Sequence, residues 1–430
     1  MDNFKTKQNI KGLSGEITIP PDKSMSHRAI IFGALTGSKV EIKNLSLGED
    51  CLNTLKIFEK LGVKVEFTSK RDIILDSSNG FNKPDEPLYC GNSGTTTRLL
   101  SGFFAHQNFD VELKGDESLS KRPMKRIIEP LSQMGAVIIS NENKMPLKIK
   151  SSNLIGINYH SPIASAQVKS CLLLAGLGAQ GKTRIYEPTL SRNHSEIMLE
   201  YLEASIITGK DEKGYFAEIE KSKLTPKNIE VVGDISSAAF FMVASAIVPN
   251  SSVVIKNVGI NPTRTGILDV FKQAEIDFEL LNQRKICNEL VADIKVNYTP
   301  NIKPFEIKGD LIPRLIDEIP ILAVLASQAQ GKSIVKDAKD LRNKESDRIK
   351  TVVETFRALG VETLEFDDGF EIIGKAKIDK NVTLETYLDH RLAMSYYVLS
   401  LINNQEMTIN GFDCVNTSFP EFLKLMEKIN

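Results

Sequence analysis

The densest cluster of charged residues in this chain is LRNKESDR, at positions 341–348. The segment is predicted to open a helix over residues 349–359, with Lys344 and Arg348, four residues apart, on one helix face. Cations arranged in this way bind phosphate or carboxylate groups. Glu345 beside them is expected to stay ionised until a bound anion offsets their charge. The alternative interpretation is a set of surface ion pairs, which contribute little to stability.

Two acidic residues stand at the starts of predicted apolar helices. Asp317 lies in LIDEIP (315–320), and Asp389 begins the triplet Asp389-His390-Arg391. A carboxylate at such a position caps the first backbone N–H groups of a helix. Next to buried surface it can instead act as a general base. The sequence leaves both interpretations open for each residue.

The N-terminal half holds cations close to further predicted helix starts. Lys23 and Arg28 lie in PDKSMSHR (21–28), where Ser24 is predicted to cap a helix so that both cations face one oxyanion. The alternative for this stretch is a capped surface helix with solvated charges. Arg122, in GDESLSKRPM (115–124), is predicted to lie at a second helix start. Its planar guanidinium suits bidentate recognition of a carboxylate or phosphate.

Small residues mark one more helix entry, CGNSGTTTR at positions 90–98. Glycine, serine and threonine allow a ligand to approach backbone N–H groups closely. The alternative is a simple glycine turn with a threonine cap.

These clusters belong to a sixfold repeat. Each repeat runs as polar cluster, apolar helix, Gly or Asn turn and β-like segment, and a second amphipathic helix and more β-like residues follow. The turns recur at intervals of 69 to 81 residues, at Gly37, Asn108, Gly181, Asn250, Gly331 and Asn404. The pattern predicts a βαβαββ unit that must pack against its neighbours to bury its faces. If the fold brings the six polar helix starts together, their unpaired N–H groups build an anion-binding cleft.

Two proline-containing segments interrupt the repeat. Pro20-Pro21 precedes the first polar cluster, and residues 226–233 lie near the midpoint of the chain. Proline ends regular elements, so both are predicted to be crossings between domains. The predicted domains are residues 1–20 with 232–430, and residues 21–231, each holding three repeats.

Composition excludes several classes of protein. The 430 residues carry a formal net charge of −1, which argues against nucleic-acid binding. No apolar run approaches the length that spans a bilayer, and the N-terminus lacks the apolar core of a signal peptide. The five cysteines are scattered without CxxC spacing, so we expect neither a metal site nor a disulfide framework, and we expect a cytoplasmic protein.

One segment imitates a nucleotide-binding motif. Residues 176–183, GLGAQGKT, match the P-loop pattern GxxxxGK[ST]. A P-loop follows a strand and opens a helix. Here a helix-like run precedes the segment and a β-like run follows it, so the repeat predicts a helix-to-strand turn instead.

Taken together, the motifs resemble the 5-enolpyruvylshikimate-3-phosphate (EPSP) synthase family of enolpyruvyl transferases. The matching stretches span residues 20 to 422 in order: PDKSMSHR, GNSGTTTRLL, GDESLSKRPM, SPIASAQVKS, LSRNHSE, GDISSAAFF, LIDEIPILAV, LRNKESDR, DHRLAMS and TSFPEF. The resemblance implies a two-domain inside-out α/β barrel of six βαβαββ units, three per domain. It also implies transfer of the enolpyruvyl group from phosphoenolpyruvate to the 5-hydroxyl of shikimate 3-phosphate. The reaction proceeds by addition and elimination and needs no cofactor or metal, and a monomer is expected.

The resemblance also implies a role for individual residues. Asp317 corresponds to the acceptor of the 5-hydroxyl proton, Glu345 to the proton donor to the methylene carbon, and Lys23 to a catalytic cation that, with Lys344, balances charge. The implied ligands of shikimate 3-phosphate are Lys23, Ser24, Arg28, Ser165, Gln167, Arg192, Asp317 and Lys344. The implied ligands of phosphoenolpyruvate are Lys23, Gly94, Arg122, Gln167, Arg348 and Arg391. Because both domains supply ligands, closure on substrate is expected.

Some positions depart from the family pattern, and other functions compete. Thr417 stands where some relatives carry Lys, and the segment Asp340–Asn343 differs from the sequence that is more familiar in the family. The phosphoenolpyruvate or phosphate contact at the first position and the shikimate contacts at the second are therefore left open. Gly94 stands where tolerant relatives carry a bulkier Ala, which predicts sensitivity to the inhibitor glyphosate. The related UDP-N-acetylglucosamine enolpyruvyl transferases carry a reactive Cys in the loop matched here by residues 115–122, which has none. A nucleic-acid-binding barrel and a catalytically silent scaffold are the remaining alternatives.

Overall fold

The computed structural model describes residues 3–6 and 10–430. The described residues form 23 strands: β1 (Asn3–Lys5), β2 (Ser14–Thr18), β3 (Lys39–Lys43), β4 (Lys64–Phe67), β5 (Ile73–Asp76), β6 (Leu88–Tyr89), β7 (Val111–Lys114), β8 (Val137–Asn141), β9 (Lys144–Lys150), β10 (Asn158–His160), β11 (Thr183–Glu187), β12 (Ile206–Asp211), β13 (Gly214–Ile219), β14 (Ile229–Glu230), β15 (Ser252–Gly259), β16 (Phe278–Ile286), β17 (Glu289–Asn297), β18 (Glu306–Ile307), β19 (Lys332–Val335), β20 (Thr363–Phe366), β21 (Gly369–Ile373), β22 (Val382–Glu385) and β23 (Met407–Asn410).

The same residues form 14 α-helices: α1 (Lys23–Leu35), α2 (Glu49–Lys60), α3 (Gly94–Phe104), α4 (Glu117–Lys121), α5 (Lys125–Gln133), α6 (Ala166–Gly176), α7 (His194–Tyr201), α8 (Ile235–Ile247), α9 (Gly266–Gln273), α10 (Ile312–Leu315), α11 (Ile319–Gln328), α12 (Arg348–Ala358), α13 (His390–Ser400) and α14 (Phe422–Ile429). No helix in this part of the chain combines the length and the apolar character that crossing a bilayer requires.

The strands form six sheets, and five of them follow one plan. In the sheet ordered β6-β7-β9-β8, β6 is parallel to β7, and β9 is antiparallel to both of its neighbours. Helix α3 connects β6 to β7, and α4 and α5 connect β7 to β8. This is the predicted βαβαββ unit, and the prediction of a repeated α/β fold is confirmed.

Strands distant in sequence complete three of the sheets. β14 pairs in parallel with β3, and β2 pairs in parallel with β15. In the remaining sheet, β22 is parallel to β23 and β1 is antiparallel to β23 on the other side. The last repeat ends in α14 without a hairpin of its own, so the N-terminal strand supplies its third strand.

The chain divides into two compact lobes. The C lobe comprises Met1–Pro20, Gly233–Lys285 and Leu290–Asn430, and the N lobe comprises Pro21–Val232 and Ile286–Glu289. Each lobe holds three of the sheets. The division differs from the predicted ranges in Val232 and in Ile286–Glu289, the turn between β16 and β17 with one residue of each strand, which group with the N lobe.

The predicted turns all lie between a helix and the strand that follows it. Four of them, Gly37, Gly181, Asn250 and Gly331, have a positive φ, which Gly and Asn adopt at low cost. The P-loop-like segment is one of these turns, because it lies between α6 and β11.

In each lobe, the first helices of the three repeats pack together. These are α1, α3 and α6 in the N lobe and α8, α11 and α13 in the C lobe. One close approach is at Gly102 of α3, where an added Cβ would lie 1.9 Å from the carbonyl oxygen of Cys171 in α6. The close packing brings the polar starts of the helices together within each lobe.

Side chains cap five of these six helices. Asp22, Ser93, Ser165, Asp234 and Asp389 each accept a hydrogen bond from a backbone N–H of the first turn. The prediction that Ser24 caps α1 is wrong, because Asp22 accepts the Met25 N–H at 2.8 Å and Ser24 is the second residue of the helix. The cap of α3 is Ser93 rather than a threonine.

Candidate active site

The C-lobe site is centred on a buried ion pair between Arg348 and Asp389. Arg348 is the first residue of α12 and is 1% exposed, and Asp389 is the fully buried N-cap of α13. Nε of Arg348 donates to Oδ2 of Asp389 at 2.8 Å, and Nη2 donates to Oδ1 at 3.2 Å. Burial alone would raise the pKa of Asp389, but the adjacent Arg348 outweighs it and holds that pKa below its usual range.

Arg348 also meets both carboxylates that were predicted to transfer protons. Its Nη2 donates to Oε2 of Glu345 at 2.8 Å, and its Nη1 lies 3.7 Å from Oδ1 of Asp317. Nη1 is buried and makes no hydrogen bond. One guanidinium therefore adjoins Asp317 and Glu345 and still has N–H groups to offer.

Two more predicted residues surround Asp317. Nζ of Lys344 lies 3.5 Å from Oδ1 of Asp317, and Nη1 of Arg391 donates to its backbone oxygen at 3.3 Å. The structure thus brings together all five C-lobe residues of the predicted site: Asp317, Lys344, Glu345, Arg348 and Arg391.

Two details of the sequence-based account of this region are wrong. Lys344 and Arg348 do not share a helix face, because Asp347 caps α12 and Lys344 precedes the helix, at the end of a 3-10 turn over Lys339–Asn343. Asp317 does not cap α11 either, because the N-cap position is Glu318. The Asp317 carboxylate contacts the cations of Lys344 and Arg348.

In the N lobe, Lys23 and Arg28 lie on α1 in different surroundings. Nζ of Lys23 contacts Oδ2 of Asp50 in α2 at 3.1 Å, and a quarter of the lysine side chain is exposed. Arg28 is buried, and it donates to Ser195 at 2.7 Å, to Ser170 at 2.8 Å and to the backbone oxygen of Ser24 at 2.9 Å. Arg28 thereby ties the start of α1 to α6 and α7.

Gly94 and Gln167 meet around Arg98. Nη1 of Arg98 donates to Oε1 of Gln167 at 2.5 Å, and Nε2 of Gln167 donates to Thr95 at 3.1 Å. Gly94 is the first residue of α3, and an added Cβ there would lie 2.9 Å from Nη1 of Arg98 and 3.8 Å from Nη1 of Arg122. A side chain at this position would therefore require the Arg98 guanidinium to move, whereas Arg122 is at ordinary contact distance.

Arg122 lies between α4 and α5, as the sequence predicted for a second helix start. Its Nη2 donates to Oδ1 of Asn92 at 2.7 Å, and Nδ2 of Asn92 donates to Asp116 at 2.8 Å. Asp116 is itself the N-cap of α4. This chain of contacts positions the Arg122 guanidinium against the Asn92 amide.

Ser165 and Arg192 are linked through a buried carboxylate. Ser165 caps α6, and its backbone N–H donates to Oε1 of Glu187 at 3.0 Å. The hydroxyl of Ser191, next to Arg192 in the chain, donates to the same oxygen at 2.6 Å. Most N-lobe residues of the predicted site thus lie in two groups, one around Arg98 and one around Glu187. Lys23, Ser24 and Arg28 lie apart from both, with Lys23 held by Asp50 and Arg28 by Ser170, Ser195 and the backbone oxygen of Ser24.

Three residues of these clusters had no role in the sequence-based prediction, and a fourth, Asp389, was predicted only as a helix cap or a general base. Asp50, Asn92 and Arg98 hold or adjoin the predicted ligands, and Asp389 is the counter-charge of Arg348. Their only sequence signal is that Asn92, Arg98 and Asp389 lie inside the motifs, whereas nothing local marks Asp50. Among residues 3–6 and 10–430, no group of three His, Cys, Asp or Glu side chains is placed to bind a metal ion.

The chain matches known enzymes over nearly its whole length. A family model described as EPSP synthase (3-phosphoshikimate 1-carboxyvinyltransferase) matches residues 7–426. The 3-phosphoshikimate 1-carboxyvinyltransferase of Petrotoga mobilis is 46% identical over 424 residues, covering 97% of this chain and 98% of that protein. The enzyme of the same name from Staphylococcus haemolyticus is 47% identical over 424 residues, with 97% of each covered.

Solved structures give the same result. EPSP synthase from Acinetobacter baumannii superimposes with a TM-score of 0.89 at 39% identity, covering 100% of this chain and 98% of that one. The enolpyruvyl transferase NikO from Streptomyces tendae, with a TM-score of 0.81, 14% identity and coverage of 99% and 97%, shares the fold alone. The predicted fold class is confirmed, and the chain belongs to the EPSP synthase family, the 3-phosphoshikimate 1-carboxyvinyltransferases.

Proposed function

We propose that this chain transfers the enolpyruvyl group of phosphoenolpyruvate to the 5-hydroxyl of shikimate 3-phosphate and releases phosphate. In the addition step, Asp317 accepts the hydroxyl proton while the oxygen attacks C2 of phosphoenolpyruvate. Glu345, protonated, gives its proton to C3, so that a tetrahedral adduct forms. In the elimination step, C3 returns a proton to Glu345, the bond from C2 to the phosphate oxygen breaks, and the phosphate leaves with the proton held by Asp317.

The observation that carries this proposal is the guanidinium shared by Asp317 and Glu345. A base and an acid for two reacting partners must lie near one another and must differ in protonation. The charge of Arg348 favours the ionised form of both carboxylates. An anionic substrate that engages Nη1 of Arg348, which makes no hydrogen bond in the structure, offsets that charge and allows Glu345 to hold its proton.

The remaining roles concern binding. Lys23, Ser24, Arg28, Ser165, Gln167, Arg192, Asp317 and Lys344 are proposed to bind shikimate 3-phosphate. Lys23, Gly94, Arg122, Gln167, Arg348 and Arg391 are proposed to bind phosphoenolpyruvate. The support is chemical, because the two substrates carry phosphate and carboxylate groups that Lys and Arg recognise through charge-assisted hydrogen bonds. Lys23 and Lys344 are proposed to balance the phosphate charge.

The decisive experiment is phosphate release from purified protein. We expect release when shikimate 3-phosphate and phosphoenolpyruvate are both present and none with either alone. Release from phosphoenolpyruvate alone would indicate a phosphatase, and no release with both would refute the proposal.

We also propose that the protein acts as a cytoplasmic monomer. All five cysteines are unpaired, and Cys51, Cys90 and Cys171 are buried, as suits a reducing compartment. Light scattering on a sizing column would give a mass close to 47.7 kDa. Twice that mass at micromolar concentration would refute the monomer.

A further inference from the structure

The N lobe buries three charged side chains behind the residues proposed to bind shikimate 3-phosphate. Nζ of Lys169, in α6, lies 2.7 Å from Oε2 of Glu187 at the end of β11 and 2.7 Å from Oε1 of Glu196 in α7. The side chains of Lys169 and Glu187 are each 2% exposed, and that of Glu196 is 5% exposed. None of the three was predicted to touch a substrate.

Glu187 connects this group to the backbone of two neighbouring segments. Its Oε1 accepts the backbone N–H of Ser165 at 3.0 Å and the hydroxyl of Ser191 at 2.6 Å. Its Oε2 accepts from Lys169 at 2.7 Å and from the backbone N–H of Ser191 at 3.3 Å. Lys169 also donates to the backbone oxygen of Ser191 at 3.4 Å.

These contacts fix two separate segments of backbone to one carboxylate. The first is the start of α6, which carries Ser165 and, in its first turn, Gln167. The second is the loop before α7, which carries Arg192 directly after Ser191. Three proposed ligands of shikimate 3-phosphate therefore depend on Glu187 for their relative position.

Electrostatics explains why the arrangement is rigid. Burial alone would lower the pKa of Lys169, but Glu196 and Glu187 outweigh it and raise that pKa, so the lysine stays charged. Removing one partner of a buried ion pair leaves a charge uncompensated. Apolar residues of similar volume often stabilise a fold as well as a buried ion pair does. Stability alone therefore does not account for three buried charges at this place.

We propose that Glu187 is a positioning residue for shikimate 3-phosphate, which it serves by holding Ser165 and the Ser191–Arg192 loop in fixed relation. The inference rests on the proposed function. It predicts that loss of Glu187 raises the KM for shikimate 3-phosphate more than the KM for phosphoenolpyruvate. The two segments that Glu187 holds carry three proposed ligands of shikimate 3-phosphate, and only Gln167 among them is also a proposed ligand of phosphoenolpyruvate.

The test is steady-state kinetics of Glu187→Ala and Ser191→Ala, measured by phosphate release with each substrate varied in turn. For Glu187→Ala we expect the KM for shikimate 3-phosphate to rise about 10- to 100-fold, as for the loss of one charge-assisted hydrogen bond to the ligand. We expect the KM for phosphoenolpyruvate and the kcat to change much less. Ser191→Ala removes only one hydroxyl and should give a smaller rise in the same KM, and it keeps the test valid if Glu187→Ala does not fold.

The matched control is Glu218→Gln. Glu218 lies on β13 of the same sheet, is 8% exposed and is paired with Arg184 at 2.6 Å and with Lys182 at 3.2 Å. It makes no contact with a proposed ligand, so its kinetic constants should equal those of the wild type.

The outcomes separate the two proposals. If the wild type neither binds shikimate 3-phosphate in calorimetry nor releases phosphate, the proposed function fails and this inference fails with it. If the wild type turns over and a folded Glu187 or Ser191 variant keeps the wild-type KM, or loses kcat with both KM values unchanged, only the positioning role is refuted.

Discussion

The proposed ligands and catalytic residues of the two lobes differ in their chemistry. The four charged residues that the N lobe contributes are all cations, namely Lys23, Arg28, Arg122 and Arg192. The C lobe contributes three cations and both carboxylates proposed to move protons.

The partners of the arginines differ in the same way. Arg122 is held by an amide and Arg28 by two hydroxyls and a carbonyl. Arg348, in contrast, lies between Asp389, Glu345 and Asp317. A guanidinium that donates to hydroxyls or amides can also bind an anionic ligand, whereas an arginine among carboxylates favours their ionised forms. We therefore propose that the N-lobe residues bind anions and that the C-lobe residues transfer protons.

Among the variants that test this contrast, Glu345→Gln should have the largest effect. The amide still accepts a hydrogen bond from Arg348 but has no proton to give to carbon, so kcat should fall by about 10²–10⁴, or ~3–5 kcal/mol. Both KM values should stay close to those of the wild type. Steady-state phosphate release measures all three constants.

The control for that variant is Glu354→Gln. Glu354 lies on α12, half exposed, 3.7 Å from Lys350, and surface pairs of this kind contribute little. If Glu345→Gln kept the wild-type kcat, Glu345 would not be the acid, and the assignment of proton transfer to the C lobe would lose one of its two carboxylates.

For Arg122→Gln we expect a smaller effect, and we expect it in KM rather than in kcat. Loss of a charge-assisted hydrogen bond costs about 1.5–3 kcal/mol, so kcat/KM for phosphoenolpyruvate should fall about 10- to 100-fold, mainly through KM. Asn92→Ala, which removes the amide that holds Arg122, should give a weaker form of the same change. Lys125→Gln, at an exposed residue of α5, is the matched control. A loss confined to kcat would contradict the division of labour between the lobes.

The third prediction concerns the space around the N-lobe cations. In Gly94→Ala the new Cβ would lie 2.9 Å from Nη1 of Arg98, so the guanidinium must move. Overpacking of this kind costs about 1–3 kcal/mol. The wild type should be inhibited by glyphosate below millimolar concentration, and the variant should need at least ~5-fold more inhibitor. Wild-type enzyme still active at millimolar glyphosate with ordinary phosphoenolpyruvate would refute the first statement, and equal inhibition of both proteins would refute the second.

Local patterns in the sequence predicted the turns and the helix starts of this molecule well. The six turns and six polar helix starts could be found because each depends on a few neighbouring residues, such as Gly37 after α1 or Ser165 before α6. Even so, the cap of α1 was misplaced, because PDKSMSHR offers Asp22, Ser24 and Ser26 within five residues and only the backbone geometry selects among them.

Contacts between distant segments could not be predicted in this way. The sequence gives no sign that Arg348 is fully buried, because its counter-charge Asp389 lies 41 residues away. Arg98 stands inside a recognised motif, yet its partner Gln167 is 69 residues distant. Burial and partner choice follow from how the repeats pack, and the repeats do not encode that packing locally.

The smallest expected effect concerns how each lobe supports its site. Just before the N-lobe helix α3, Gly91 adopts a φ of +61°, whereas before the C-lobe helix α13, Tyr387 and Leu388 adopt φ values of +51° and +59°. The left-handed region costs a residue with a side chain roughly 1–2 kcal/mol, and glycine avoids this but loses more entropy on folding. Leu388 is 64% exposed, so little burial is lost when it is replaced.

Leu388→Gly should therefore stabilise the protein by about 0.5–1 kcal/mol and raise its Tm by roughly 1–3 °C. Leu388→Ala is the matched control, because it removes the same side chain but keeps the Cβ that causes the strain, and its Tm should not rise. Differential scanning calorimetry measures both. An equal rise in the two variants would mean that the leucine side chain, rather than the backbone, is the source of the cost. An unchanged Tm in Leu388→Gly would mean that the C lobe holds Asp389 in place without strain, as the N lobe does at Gly91.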